Sequence, residues 1–268
     1  MSAFIRAPEL LGSMDRRTPG TNTTFDIPLS HTYHMLALDI AVQGETVTPA
    51  DWGDYIDQIE LRVNGDAKIE ISGANLYRLY SNKGFVLTDN FVPLFLSQPD
   101  KRTIFGEDVT GYGTQGLRNL QIDVRLSAGA HVIDRLDLYC KRGANAALGP
   151  HYRLSRYNEN VTGAGRREFS GFTRDAATLY GVMMTTAAID YARIKAGDAT
   201  IHESTRAVRD GFLAPMGRQQ MAGTTYLDCC PDDRWDEAFD VLGRDVRFTL
   251  EYTAAADTEV IVESVETL

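Results

Sequence analysis

The chain has 268 residues, of which 43% are hydrophobic and 24% charged, and 37 acids against 27 lysines and arginines give a formal net charge of −10. That length holds one large domain or two of about 130 residues, with the composition of an ordinary soluble globular protein. The acidic balance argues against a dedicated role in binding DNA or RNA, which needs a basic face to neutralise phosphates, and no apolar run reaches the roughly 18 residues of a membrane-spanning helix.

Residues 1–21 read as an irregular arm ending in Thr18-Pro19-Gly20-Thr21, with Arg6, Arg16 and Arg17 along it. Its start, MSAFIRAPELLGSMDRR, lacks the long apolar core of a secretory signal. Period-two patterns then take over. Ile59, Leu61 and Val63 alternate with Glu60, Arg62 and Asn64. Asn64-Gly65 follows, a two-residue hairpin signal, because both turn positions need positive φ. Ala67, Ile69 and Ile71 continue the alternation. A short helix is predicted at Ala74 to Tyr80. Alternation returns at Leu120 to Leu126 and at Val246 to Tyr252, and further helices are predicted at Thr205 to Leu213 and Asp232 to Leu242. The pattern breaks between 141 and 166, a stretch rich in Gly, Ala and Asn that marks the domain boundary. Short alternating strands between turn residues point to antiparallel sandwiches and not to βαβ units.

One stretch is nearly written twice. VNGDAKIEIS, from Val63, is echoed by KAGDATIHES, from Lys195. Gly65, Asp66, Ala67, Ile69 and Ser72 reappear, all at one constant interval, as Gly197, Asp198, Ala199, Ile201 and Ser204. Each hairpin is followed by a helical segment, and each half closes with a strand, an Ala-rich turn and a strand. That order implies a duplicated domain. In the second copy, Ala196 replaces Asn64, and Arg193 and Lys195 fall where Leu61 and Val63 stood. The apolar phase must therefore shift by one residue, so a bulge or a shorter connection is expected there.

The search for chemistry returns structural readings. GYGTQG, Gly111 to Gly116, matches a dinucleotide-binding pattern literally, but it leads into a strand and lacks a βαβ setting, so it reads as a turn. His31 and His34 point to opposite faces of a strand and cannot share a metal. His202-Glu203 is not a metalloprotease motif, and His131 and His151 have no acid or nucleophile nearby in sequence. Asp51, Asp54 and Asp57, and the later group Asp228, Asp232, Asp233, Asp236, Glu237 and Asp240, could supply oxygens to calcium. No calcium-loop glycine or bidentate acid is correctly spaced, and a solvated acidic face is preferred. Asp66 and Asp198 read as turn residues. Trp52 and Trp235 could stack sugars, though a lone Trp is more often core or interface. Cys140, Cys229 and Cys230 cannot all pair, and adjacent cysteines make poor disulfides, so they read as buried, reduced thiols of a protein made in a cytosol. No catalytic, cofactor or metal site is assigned.

Several segments carry a resemblance: SHTYHMLALDI, IDQIELRVNGDAKIEISGANLYRLY, GTQGLRNLQIDVRLSAGA, IDYARIKAGDATIHE and TEVIVESV. From about Thr24 onward the chain resembles the double jelly-roll major capsid proteins of tailless, internal-membrane-containing double-stranded DNA bacteriophages, most closely the corticovirus type. The resemblance implies an all-β chain of two tandem eight-stranded jelly-roll sandwiches with a few short helices in loops. The expected layout is arm 1–21, first jelly roll 22–141, linker 142–160 and second jelly roll 161–268. It further implies a homotrimer of pseudo-hexagonal outline, tiling an icosahedral shell over an internal membrane. Implied partners are neighbouring capsomers, penton and minor capsid or membrane proteins, and the viral membrane through the N-terminal arm, with the virion as its place. No cofactor is required, although structural Ca2+ occurs among relatives. The competing expectation is a tandem β-sandwich that binds carbohydrate or attaches to a tail.

Overall fold

The computed structural model describes residues 8–99, 110–129, 131–173, 176–230 and 238–267. Nine strands build the first half: β1 (Pro8–Ser13), β2 (Asn22–Asp26), β3 (Thr32–Val42), β4 (Ile56–Val63), β5 (Asp66–Ile71), β6 (Phe91–Phe95), β7 (Tyr112–Gly113), β8 (Leu120–Leu126) and β9 (Ile133–Gly143). Nine more build the second: β10 (His151–Val161), β11 (Gly165–Ser170), β12 (Thr178–Met184), β13 (Ile189–Ala196), β14 (Ala199–Thr205), β15 (Thr225–Asp228), β16 (Phe239–Asp240), β17 (Val246–Tyr252) and β18 (Ala256–Glu266). The helices are α1 (Trp52–Tyr55), α2 (Gly73–Asn82) and α3 (Arg206–Leu213), with 3-10 turns at Pro49–Asp51 and Ala214–Met216.

Two compact units result. The first holds residues up to Tyr77 and Val86–Tyr152; the second holds Arg78–Phe85 and Arg153–Thr267. In the first unit one sheet runs β1-β9-β3-β6, with β7 pairing β3, and the other runs β5-β4-β8-β2. The second unit repeats this strand for strand, with β10-β18-β12-β15, β16 pairing β12, and β14-β13-β17-β11. Every pairing whose register is defined is antiparallel. Each unit is thus a four-on-four sandwich plus one two-residue strand, the arrangement of a jelly roll.

The cores follow from the period of two. On β4, Ile59, Leu61 and Val63 turn inward, and Ile122, Val124 and Leu126 do so on β8. In the second unit Val182, Val260 and Val262 of one sheet meet Ile194, Phe248 and Leu250 of the other in a single cluster. Cys229 belongs to that cluster, and all three cysteines are buried and outside any disulfide.

The two hairpins match more closely in structure than in letters. Strands β4 and β13 have the same alternation of buried and open positions, with Ile56 matched to Ile189 and Val63 to Ala196. Both hairpins carry one extra residue at the same place, Lys68 in the first and Ile201 in the second. The bulge expected in the second copy is therefore present, but it belongs to both copies and does not cause the phase shift. The turn residues Asn64 and Gly65, at φ 52 and 92, correspond to Gly197 and Asp198, and Gly197 takes φ 58. The repeated letters Gly-Asp-Ala thus sit one residue out of structural step: Gly65 matches Gly197 by letter but Asp198 by position in the turn.

Three stretches differ from expectation. Residues 8–13, placed in the irregular arm, are β1, and most of the expected linker 142–160 is β9 and β10. These first strands, β1 and β10, are counterparts. β1 is held by backbone pairing to β9 and exposes most of its side chains, so no apolar alternation marked it. The predicted helix at Asp232 to Leu242 falls partly outside the described residues, and its remainder includes β16, because Phe239 and Asp240 pair with Leu179 and Thr178.

A buried ion pair anchors the second unit. Lys83 Nζ lies 2.9 Å from Glu263 Oε2, with side-chain exposures of 5% and 0%, and the Tyr226 hydroxyl donates to Glu263 Oε1 at 2.8 Å. Beside it Asn82 donates to Thr224 Oγ1 and accepts from the Met221 N–H. Removing one partner leaves a desolvated charge behind. Lys83→Met is expected to destabilise the protein by about 3–5 kcal/mol, whereas Val86→Ala, at a fully open position, should stay within about 0.5 kcal/mol. Urea denaturation of both variants measures this.

Candidate functional site

The residues singled out by sequence are mostly structural. Tyr112 and Gly113 of the GYGTQG stretch pair with Tyr33 and Thr32. A side chain on Gly113 would collide with the carbonyls of Ala146 and Ala147, so the glycine is there for close backbone approach. Thr114 donates to the His31 carbonyl at 2.8 Å, and the stretch leads into β8. No phosphate cradle at a helix start is formed by it.

The histidines go to separate places. His31 contacts Ser30 Oγ and Arg142, and burial followed by the Arg142 charge lowers its pKa. His34 is buried against Ser97 Oγ at 2.7 Å. His131 lies 3.2 Å from Glu45 and packs at a tilt against the Tyr55 ring, and His151 sits edge-on to Tyr112. His202 lies 2.6 Å from Ser204 Oγ. Burial first, and then the charge of Arg209, push its pKa down to about 4.

Among the acids singled out, Asp54 is exposed, while several others are engaged by neighbours. Asp51 accepts from the Thr48 hydroxyl and N–H in a capping box at Pro49–Asp51. Asp57 takes the Ser127 hydroxyl at 2.9 Å and lies 3.4 Å from Arg125. Asp228 pairs with the buried Arg218 at 2.9 Å, and Asp240 accepts from the Leu242 N–H. Asp232, Asp233, Asp236, Glu237 and Trp235 lie outside the described residues. Among the described residues, no three of His, Cys, Asp and Glu are grouped to hold a metal. Trp52 is 0% exposed and packs edge-on to Tyr77, so it cannot serve as a sugar platform. Arg17 donates to the carbonyls of Met14 and Asp134. No described helix is long and apolar enough to cross a membrane.

One surface feature was missed. Beside α3, a cleft of about 230 Å³ is lined by Ile201, His202, Val208, Arg209, Phe212 and Tyr226, among others. Leu213 is buried at the cleft wall, while Val208 and Phe212 are open to solvent. The signal was available in TRAVRDGFL, where apolar residues occupy two faces of one short helix. One face covers the sandwich, and the other needs a different explanation.

These features define a class: a double jelly-roll protein, whose two like sandwiches carry structural polar groups. Comparison with known proteins narrows the class. The sequence matches the viral coat protein P2 N-terminal domain over residues 8–140 and the viral coat protein P2 C-terminal domain over 152–268. The chain therefore belongs to the viral coat protein P2 family, the PM2-like, corticovirus type of double jelly-roll capsid protein; it is a structural virion protein and not an enzyme. No curated protein matches the sequence. In fold it is similar to the major capsid protein P2 from bacteriophage PM2, at TM-score 0.85 and 15% identity, covering 98% of each chain. It is also similar to the STIV MCP, at TM-score 0.72 and 11% identity over 97% of this chain and 96% of that one. The PBCV-1 virus capsid protein follows at TM-score 0.64 and 10% identity, over 99% and 95%.

The depressed pKa of His202 has a thermodynamic consequence. Between about pH 6.5 and 4 the unfolded chain protonates this histidine while the folded chain resists. The unfolded state then binds more protons, so stability falls as pH falls through that window, by roughly 3 kcal/mol at most. Urea titrations at pH 7 and pH 4.5 should show a smaller loss for His202→Gln than for the wild type.

Proposed function

We propose that three copies of the chain form a homotrimeric capsomer of six-sided outline, and that these capsomers tile an icosahedral shell over an internal membrane. The observation that supports this is the strand-for-strand repeat, nine strands echoed by nine in the same sheet order. Two like units per chain let a threefold assembly present six similar places, and a closed ring satisfies every contact surface. On this reading the further partners are a penton protein, minor capsid and membrane proteins, and the viral membrane, approached through the N-terminal residues ahead of β1. The protein is made in the host cytoplasm and works in the virion. Light scattering on the purified wild type should give about 89 kDa, three times 29.7 kDa, and negative-stain images should show six-sided particles. A chain that stays at 29.7 kDa at every concentration would overturn the proposal.

On this reading assembly requires no cofactor. EDTA treatment is expected to leave the trimer mass unchanged. Dissociation on chelation, reversed by calcium, would instead require a structural cation.

A further inference from the structure

Helices α2 and α3 are counterparts: α2 starts at Gly73 and α3 at Arg206, each directly after its hairpin and at the same interval that relates β4 to β13. Their inner faces behave alike, with Leu76 and Tyr80 buried in α2 and the corresponding Arg209 and Leu213 buried in α3. Their outer faces do not. Asn75 and Leu79 are 1% and 0% exposed, while the corresponding Val208 and Phe212 are 45% and 70% exposed. Leu79 lies in Arg78–Phe85, the stretch that belongs to the second unit. Among the described residues, nothing covers Phe212 in the same way.

The cleft beside this face carries a charge that no described carboxylate contacts. Arg209 is buried, and its guanidinium donates to the carbonyls of Ser204, Ile189 and Asp190. Among the described residues its Nε–H has no acceptor, and it forms no ion pair with a carboxylate. The two acids that line the cleft are engaged elsewhere: Asp228 by Arg218, and Glu203 by the Tyr191 hydroxyl. A buried cation beside open apolar side chains suits a partner that brings both a carboxylate and an apolar surface. A second copy of this chain brings acidic surface, with 18 acidic against 12 basic residues in the first unit and 19 against 15 in the second, and the first unit is the more acidic.

We infer that the face of α3 formed by Val208, Phe212 and the Arg209 cleft is where the acidic first unit of a second copy of this chain docks, head to tail. The inference rests on the trimer proposed above and names the surface that closes it. Such a heterologous contact, made three times, completes a ring.

The test compares the wild type with Phe212→Glu and Val208→Glu by size-exclusion chromatography with light scattering, with circular dichroism as the check on folding. The expected result is a wild type near 89 kDa, three times 29.7 kDa, and folded variants at 29.7 kDa. Folded variants that remain trimeric beside a trimeric wild type would overturn this inference and leave the capsomer reading standing. A wild type that is itself monomeric would overturn both. In parallel, a photo-crosslinking amino acid at position 212 of the full-length chain should capture peptides from residues 8–77 or 86–152 of another copy. Capture of peptides from 78–85 or 153–267 alone, or no crosslink between copies, would overturn the inference even if a charged variant failed to fold.

Discussion

A β-sheet that alternates apolar and polar side chains has one face that must leave water, and the rest of this structure depends on satisfying that demand twice. Four strands make a sheet wide enough to cover another, and two such sheets share one core. Val182, Val260, Ile194, Phe248 and Leu250 do this in the second unit. Each fully buried side chain of this kind contributes about 1.5–3 kcal/mol relative to exposure. The polar faces of the sheets stay outward and carry surface pairs such as Arg62 with Asp123 and Arg135 with Asp39. Such exposed pairs contribute little individually, so the fold stands on its cores and backbone ladders.

Buried charge does a different job. Lys83 with Glu263, and Arg218 with Asp228, take both partners out of water. A well-packed apolar pair could match their stability. Their effect is conditional: the charge is tolerated only when its partner arrives, so the segment carrying Asn82 and Lys83 has one acceptable place in the second unit. Arg209 is the exception, satisfied by carbonyls and, among the described residues, by no acid. On the docking inferred above, a buried cation that no described carboxylate contacts, beside open apolar residues, is a feature of assembly.

The chain order and spacing of residues were enough to read much of this. Asn64-Gly65 announced its hairpin, and alternation on β4, β8 and β17 announced one-sided strands. The need for a phase shift near Arg193 and Lys195 was also legible, because charged residues cannot replace Leu61 and Val63 in a core. Strands β1 and β10 were not legible. β1 is stabilised by backbone pairing along β9, which leaves no trace in side-chain pattern. β16 is two residues long, too short for any periodicity. Trp52 illustrates the same limit: its letter permits a sugar platform or a core, and only packing against Tyr77 decides which.

By itself, then, the sequence determined the all-β class, the duplication and the absence of a local catalytic motif, because these are carried by side-chain period and by residues adjacent in the chain. Tertiary structure alone decided three things. It set the true step of the repeat one residue beyond the matching letters, pairing Ile56 with Ile189, because equivalence is defined by ladder register and bulge position. It brought Lys83 to Glu263, 180 residues away, a pairing that no local pattern encodes. And it separated two helices of similar origin, burying the outer face of α2 and leaving that of α3 open, because coverage depends on which surfaces meet once the chain has folded.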